Sequence, residues 1–316
     1  MTGAKEAGAI VARGLQRRFG DNVAVAGVDL TVTDGEIYGF LGPNGAGKST
    51  CIRMLTTLLR PSGGDAWVAG RHVVEEAGNV RLEIGVALQE AALDPQQTGR
   101  ELLTLQGRLY GLTAREIESR IGQIVGFIDL GDAFDDRLNT YSGGMKRRLD
   151  LAAALVHNPT VLFLDEPTTG LDPISRNKVW EEIRYLNQGL GMTVFLTTQY
   201  LEEADELADR VGIINKGHLV AEGAPAELKR QIGTDVIVAR VANPAQAAAA
   251  VRSVQLVDVV EEADGEIRIG TTDGAALISP VAVALAEQGI DVTNLALRTP
   301  TLDDVFVSFT GERIVV

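Results

Sequence analysis

The sequence predicts an α/β fold: a mostly parallel sheet with antiparallel β and α-helical subdomains, followed by a small α+β domain. Three observations carry this. Continuous apolar runs, such as residues 161–164 and 193–197, alternate with helical patterns, as buried parallel strands do. The glycine-rich stretch Gly42-Pro43-Asn44-Gly45-Ala46-Gly47-Lys48-Ser49-Thr50 follows the apolar run 37–41 and opens a helix. Near Gln231 the pattern and the charge both change: residues 231–316 hold 5 basic and 12 acidic side chains, half of a net charge of −14. The reading is two domains, 1–231 and 232–316, with a helical subdomain at about 90–157.

Taken in order, residues 10–19 and 24–32 alternate apolar and polar as two strands around the turn Gly20-Asp21-Asn22. Phe19 ends the first strand and is open to two readings. It is either a core aromatic or a platform for an adenine ring, a contact worth about 1–3 kcal/mol by analogy with bases stacked on aromatics. Gly42 to Thr50 form a Walker A phosphate loop, which makes the first domain a P-loop NTPase. Its glycines turn backbone N–H groups toward a phosphate, Lys48 adds a mobile charge, Ser49 offers a hydroxyl to Mg²⁺, and the helix dipole points at the same anion. Residues 66–68 and 84–88 follow as short strands, the second ending at Gln89, from which a side chain can reach a bound metal.

Residues 100 to about 127 read as helical, with Ile117, Ile121, Ile124, Val125 and Ile128 on one face. Tyr141-Ser142-Gly143-Gly144-Met145 then opens a helix; Ser142 is an N-cap, and Gly143 and Gly144 leave the first N–H groups open. That start is an ordinary capped helix or a second anion site. The run 161–164 ends in Asp165-Glu166, two carboxylates facing the phosphate loop: Asp165 to hold Mg²⁺ and Glu166 to polarise the attacking water. Asp172-Pro173 starts a helix with Val179, Ile183 and Leu186 on one face; strands follow at 193–197, stopping at Thr198-Gln199, and at 210–214. Beyond a short helix to about 231, strands at 235–241, 255–261, 266–270 and 291–297 and helices at 244–251 and 276–288 spell βαββαβ, a ferredoxin-like order. Residues 300–306 read as a helix started by Pro300.

Composition narrows the function. At 45% hydrophobic and 23% charged the chain can bury real cores, and no apolar run reaches the ~18 residues of a membrane span. The first residues carry no signal-peptide pattern, which places the protein in the cytoplasm. The acidic balance argues against a nucleic-acid partner, because phosphate backbones are bound by clustered Lys and Arg. The single cysteine, Cys51, excludes an internal disulfide and reads as a packed helix residue.

The order Walker A, Gln89, YSGGM, FLDEPTTGLDP and TTQYLEEAD resembles the nucleotide-binding subunit of an ABC transporter over nearly all of residues 8–230. YSGGM, TTQYLEEAD and the terminal PTLDDVF are similar to the daunorubicin-resistance type of exporter ATPase. The resemblance implies ATP and Mg²⁺ as cofactors, Phe19 on the adenine, Gln89 at the metal, and Ser142-Gly143-Gly144 against ATP held by a second subunit. It makes Glu166 the catalytic carboxylate and Asp172 a residue that crosses the dimer interface. It also implies a second ATPase subunit, most simply a homodimer, and a separate membrane-spanning permease that keeps this chain on the cytoplasmic side of the membrane. Two departures stand out: Met145 replaces a common Gln, and Gln199 replaces the switch histidine, with only His72, His157 and His218 in the chain. A glutamine donates a hydrogen bond to a phosphate but cannot titrate, so hydrolysis is expected to be real and slower than in histidine-bearing relatives. The competing classes are a soluble ABC-type ATPase acting on ribosomes or nucleic acid, and a non-hydrolytic ATP-binding regulator.

Overall fold

The computed structural model describes residues 8–88, 93–126, 128, 130–252, 254–255, 257–263 and 265–311. The chain divides into two compact units, one ending at Pro225 and the other spanning Ala226–Gly311. The first unit contains β1 (Ile10–Phe19), β2 (Asn22–Val32), β3 (Ile37–Leu41), α1 (Lys48–Leu55), β4 (Gly63–Val68), β5 (Arg71–His72), α2 (Ala77–Glu83) and β6 (Ile84–Ala87). It continues with α3 (Gly99–Leu109), α4 (Ala114–Val125), α5 (Gly143–Leu155), β7 (Val161–Asp165), α6 (Pro173–Arg184), β8 (Thr193–Thr198), α7 (Leu201–Leu207), β9 (Arg210–Asn215) and β10 (His218–Gly223).

Six strands make the central sheet in the order β10-β9-β3-β8-β7-β6, parallel except for the antiparallel β9–β10 edge. Every residue of β3, β7 and β8 is buried, the reason they read as unbroken apolar runs. Phe195 sits at their centre, its ring 5.5–5.6 Å from those of Tyr38, Phe40 and Phe163. A second, antiparallel sheet runs β2-β1-β4-β5.

The helical subdomain is built as its spacing predicts. The helical segment read at 100 to about 127 consists of two helices, α3 and α4, each opened by a capping box, Thr98 with Glu101 and Thr113 with Glu116. Gly111, at φ +79°, makes the break between them. Ile117, Ile121, Ile124 and Ile128 are buried as their spacing requires. Phe127 lies outside the described residues.

From its second residue onward α8 (Pro225–Ile232) belongs to the second unit, with β11 (Asp235–Val241), α9 (Pro244–Val251), β12 (Val259–Ala263), β13 (Glu266–Thr271), α10 (Gly274–Glu287), β14 (Val292–Arg298) and α11 (Leu302–Thr310). Its antiparallel sheet has the order β12-β13-β11-β14, the ferredoxin-like βαββαβ arrangement. Ile237, Ala239, Ile267 and Ile269 pack under Ala247, Val251, Leu277 and Val281 as a separate core. Two details differ from the sequence reading. β12 begins at Val259 rather than residue 255, and α11 is capped by Thr301 in a capping box with Asp304, so Pro300 precedes the helix instead of starting it.

Candidate functional site

The phosphate loop joins the buried end of β3 to α1. Gly47 caps α1 at φ +114°, and a Cβ there would stand 2.6 Å from the Ala24 carbonyl oxygen. Only glycine fits both the conformation and the space. No side chain caps α1, which leaves its first N–H groups for an anion. Lys48 is 4% exposed; its Nζ donates to the carbonyls of Gly42 (2.7 Å) and Pro43 (3.3 Å) and lies 3.4 Å from Glu166 Oε1. Burial pulls this ammonium below the usual lysine range, and Glu166 and Asp165 oppose that pull.

β7 delivers the two carboxylates to the same place. Ser49 Oγ donates to Asp165 Oδ1 at 3.2 Å, and Thr197 Oγ1, across the β7–β8 register, donates to the same oxygen at 2.5 Å. A serine hydroxyl beside a carboxylate is the hard-oxygen donor set that suits Mg²⁺. Glu166 adopts φ +50°, a left-handed conformation that costs a non-glycine residue of order 1–3 kcal/mol. Its N–H donates to the Thr197 carbonyl at 3.0 Å, and its Oε2 accepts from Thr169 Oγ1 at 3.2 Å. The strain aims the carboxylate back at Lys48 instead of along the strand.

Arg147 is a residue the sequence reading missed. From α5 it donates to the main-chain carbonyls of Asp165, Pro167 and Leu88 and to the carboxylate of Asp150. One guanidinium thus ties the helix that begins at Ser142 to the loop carrying Glu166. Thr197 was missed as well.

The remaining residues lie around this cluster. Ser142 caps α5 by accepting from Met145 N–H at 3.2 Å; Ser142 and Gly143 are exposed, and Gly144 is buried so close to α6 that a Cβ would lie 3.0 Å from Ser175 Oγ. These three serve α5 and α6, not their own chain's phosphate loop. Asp172 caps α6, accepting from Ile174 N–H, Ser175 N–H and Ser175 Oγ, and the Ser175 hydrogen bonds hold its carboxyl below the usual range. Gln199 follows β8, and its buried Oε1 has no hydrogen-bond partner among the described residues. A flip of that amide would present its N–H₂ instead, so the position supplies a donor or an acceptor. Phe19 ends β1 47% exposed, with the Arg17 guanidinium 4.5 Å from its ring centroid. Gln89 lies outside the described residues.

A phosphate loop, a hydroxyl–carboxylate pair beside it and a strained glutamate one residue beyond that carboxylate, with a separately capped glycine pair on a helical subdomain, define an ABC-type ATPase. The family model for the ABC transporter ATP-binding domain matches residues 25–169, and that for the ATP-binding protein DrrA1-3-like C-terminal domain matches residues 223–310. The daunorubicin resistance ATP-binding protein DrrA3 of Streptomyces coeruleorubidus is 48% identical over 96% of both chains. The Nod factor export ATP-binding protein I of Rhizobium sp. (strain N33) is 40% identical over 97% of this chain and 98% of its own. Among solved structures, cbiO1 from Clostridium perfringens, part of the ABC transporter complex cbiONQ, superposes with a TM-score of 0.65 at 26% identity, covering 71% of this chain and 91% of its own. The chain belongs to the ATP-binding subunits of ABC transporters, among the daunorubicin-resistance relatives. It binds ATP and is an ATPase that powers an ABC exporter.

Proposed function

We propose that two copies of this chain close head to tail around two ATP molecules beneath a separate membrane-spanning permease. They drive drug, antibiotic or lipid-like molecules outward from the cytoplasmic side of the membrane. The observation that carries the reading is the convergence of Lys48, Ser49, Asp165 and Glu166 at one end of the parallel sheet. In support, Ser142 and Gly143 are exposed, as a surface that completes a partner's site must be. Among the described residues no helix is long and apolar enough to cross a membrane. The cargo class rests on relatives named for daunorubicin or doxorubicin resistance, linearmycin resistance and Nod factor export. Residues 1–231 form the nucleotide-binding domain, and 232–316 an accessory domain that steadies or regulates the pair.

ATP supplies the phosphoanhydride to be cleaved, and Mg²⁺ held by Ser49, Asp165 and Gln89 would offset its charge. The chain's own residues position the rest. Phe19 offers its free face to the adenine while Arg17 covers the other. Lys48 exchanges the Gly42 and Pro43 carbonyls for phosphate oxygens, and the uncapped start of α1 donates beside it. Glu166 accepts a hydrogen bond from the attacking water and orients it in line. Asp172 crosses to the partner copy, and Gln199 donates to the terminal phosphate. Closure contributes positioning.

The test is turnover by the purified chain with its membrane subunit, and by a Glu166→Gln variant. The wild type is expected to release phosphate with Mg·ATP, and Glu166→Gln to lose this at least 100-fold while trapping an ATP-dependent dimer on gel filtration. A wild type without turnover would instead mark a non-hydrolytic regulator. Co-purification with ribosomes rather than a polytopic membrane protein would overturn the transport assignment.

A further inference from the structure

Behind the catalytic loops, α6 and α7 meet along one stripe. On α6 the side chains Arg176, Trp180 and Arg184 are four residues apart and therefore share a face. Each meets a residue of the segment after Gln199. The Arg176 guanidinium lies 4.8 Å from the Tyr200 ring centroid, Trp180 Nε1 donates to Glu203 Oε1 at 3.0 Å, and Arg184 pairs with Glu206. The middle rung is unusual. Glu203 is 0% exposed, and its Oε1 also accepts from Thr168 Oγ1 at 2.8 Å, two residues beyond Glu166. Its Oε2 is buried with no hydrogen bond of good geometry among the described residues, and the Thr198 hydroxyl also faces the carboxyl.

A buried carboxyl with one oxygen poorly paired costs free energy that an apolar residue of the same size would not. What the carboxyl provides is one atom that holds two donors from different segments: the loop carrying Glu166 and the helix α6 that Asp172 caps. The glutamate itself sits on α7, four residues beyond Gln199. We propose that Glu203 is a positioning residue for ATP hydrolysis, joining the Glu166 loop, α6 and the Gln199 segment into one body. Gln199 then shifts with Asp172 rather than independently, so a movement of α6 against the partner copy reaches the terminal phosphate. The charged groups facing Glu203 are Arg176 from α6 and Arg147 from α5. Neither donates to Oε1, so the joint is made by neutral donors and needs an acceptor, not a negative charge. The proposal rests on the ATPase reading, and its test separates the two.

The experiment compares kcat, KM for ATP and thermal unfolding of the full chain for wild type, Glu203→Leu, Glu203→Gln and Thr168→Val. Glu203→Leu is expected to lower kcat at least tenfold and change KM less than threefold. Glu203→Gln, which keeps an acceptor oxygen in place, restores kcat to within threefold of wild type. Thr168→Val keeps the shape, removes one donor and lowers kcat by an intermediate factor, a readout that survives if Glu203→Leu does not fold. A kcat within twofold of wild type in Thr168→Val, or a Glu203→Gln as impaired as Glu203→Leu, would overturn the joint. A wild type with no turnover at all would overturn the ATPase reading instead.

Discussion

Gln199 is the residue whose chemistry separates this chain from what its neighbours in the motif predict. A titrating histidine would carry charge to the phosphate below about pH 6.5, whereas the amide stays neutral at every pH. Its buried Oε1 has no hydrogen-bond partner among the described residues, and its place after β8 puts it beside the strand end that bonds Glu166. Hydrogen bonds to charged groups are worth about 1.5–3 kcal/mol, so Gln199→Ala is expected to lower kcat by roughly ten- to a hundredfold with little change in KM. Steady-state turnover checks this, and an unchanged kcat would remove the switch role. Glu166, Lys48, Ser49 and Asp165 were legible in the sequence because one segment carries each pair at a fixed spacing. Thr197, Arg147 and Glu203 were not, because their partners lie on other elements and only the register of β7 with β8 and the packing of α5, α6 and α7 bring them together.

The same contrast holds for whole elements. β3, β7 and β8 announce themselves as apolar runs because both faces are buried, whereas β10 is a half-exposed edge strand and α7 a seven-residue acidic helix, and neither has a pattern to read. α5 has a further property that its sequence hides. Asp150 is largely shielded on it, its side chain 15% exposed and 3.2 Å from Arg147, and desolvation pushes its carboxyl up to about 6 against the opposing attraction of Arg147. In the unfolded chain the group returns to about 3.9. Between those values the folded state keeps a proton that the unfolded state has lost, so stability falls as pH rises from about 4 to 6 and is flat above. Raising a carboxyl from about 3.9 to about 6 corresponds to about 3 kcal/mol. Asp150→Asn cannot ionise, and its stability relative to wild type is therefore expected to climb by up to that amount between pH 4 and 7. Denaturant titrations of both proteins across this range measure the difference, and a pH-independent difference would contradict the raised carboxyl.

At the scale of the whole molecule, each unit has its own core, and the phosphate loop lies in the first of them. The cores that line the six-stranded sheet end with the first unit, while the ferredoxin-like sheet and its two helices close over a separate cluster from Ile237 to Leu285. Two independently packed cores predict two unfolding transitions rather than one. With ATP at the site proposed for Lys48, Ser49 and α1, mass action raises only the first unit's transition. At a free ATP concentration 100 times Kd the gain is about 2.7 kcal/mol, which for a unit of some 200 residues shifts Tm by roughly 5–10 °C. Scanning calorimetry of the Glu166→Gln protein, expected to bind ATP without consuming it, resolves the two peaks with and without Mg·ATP. One peak moving while the other holds still locates the ligand's binding energy in the first unit. If both move together, the two cores unfold as one cooperative body, and the second unit feels the nucleotide through the first.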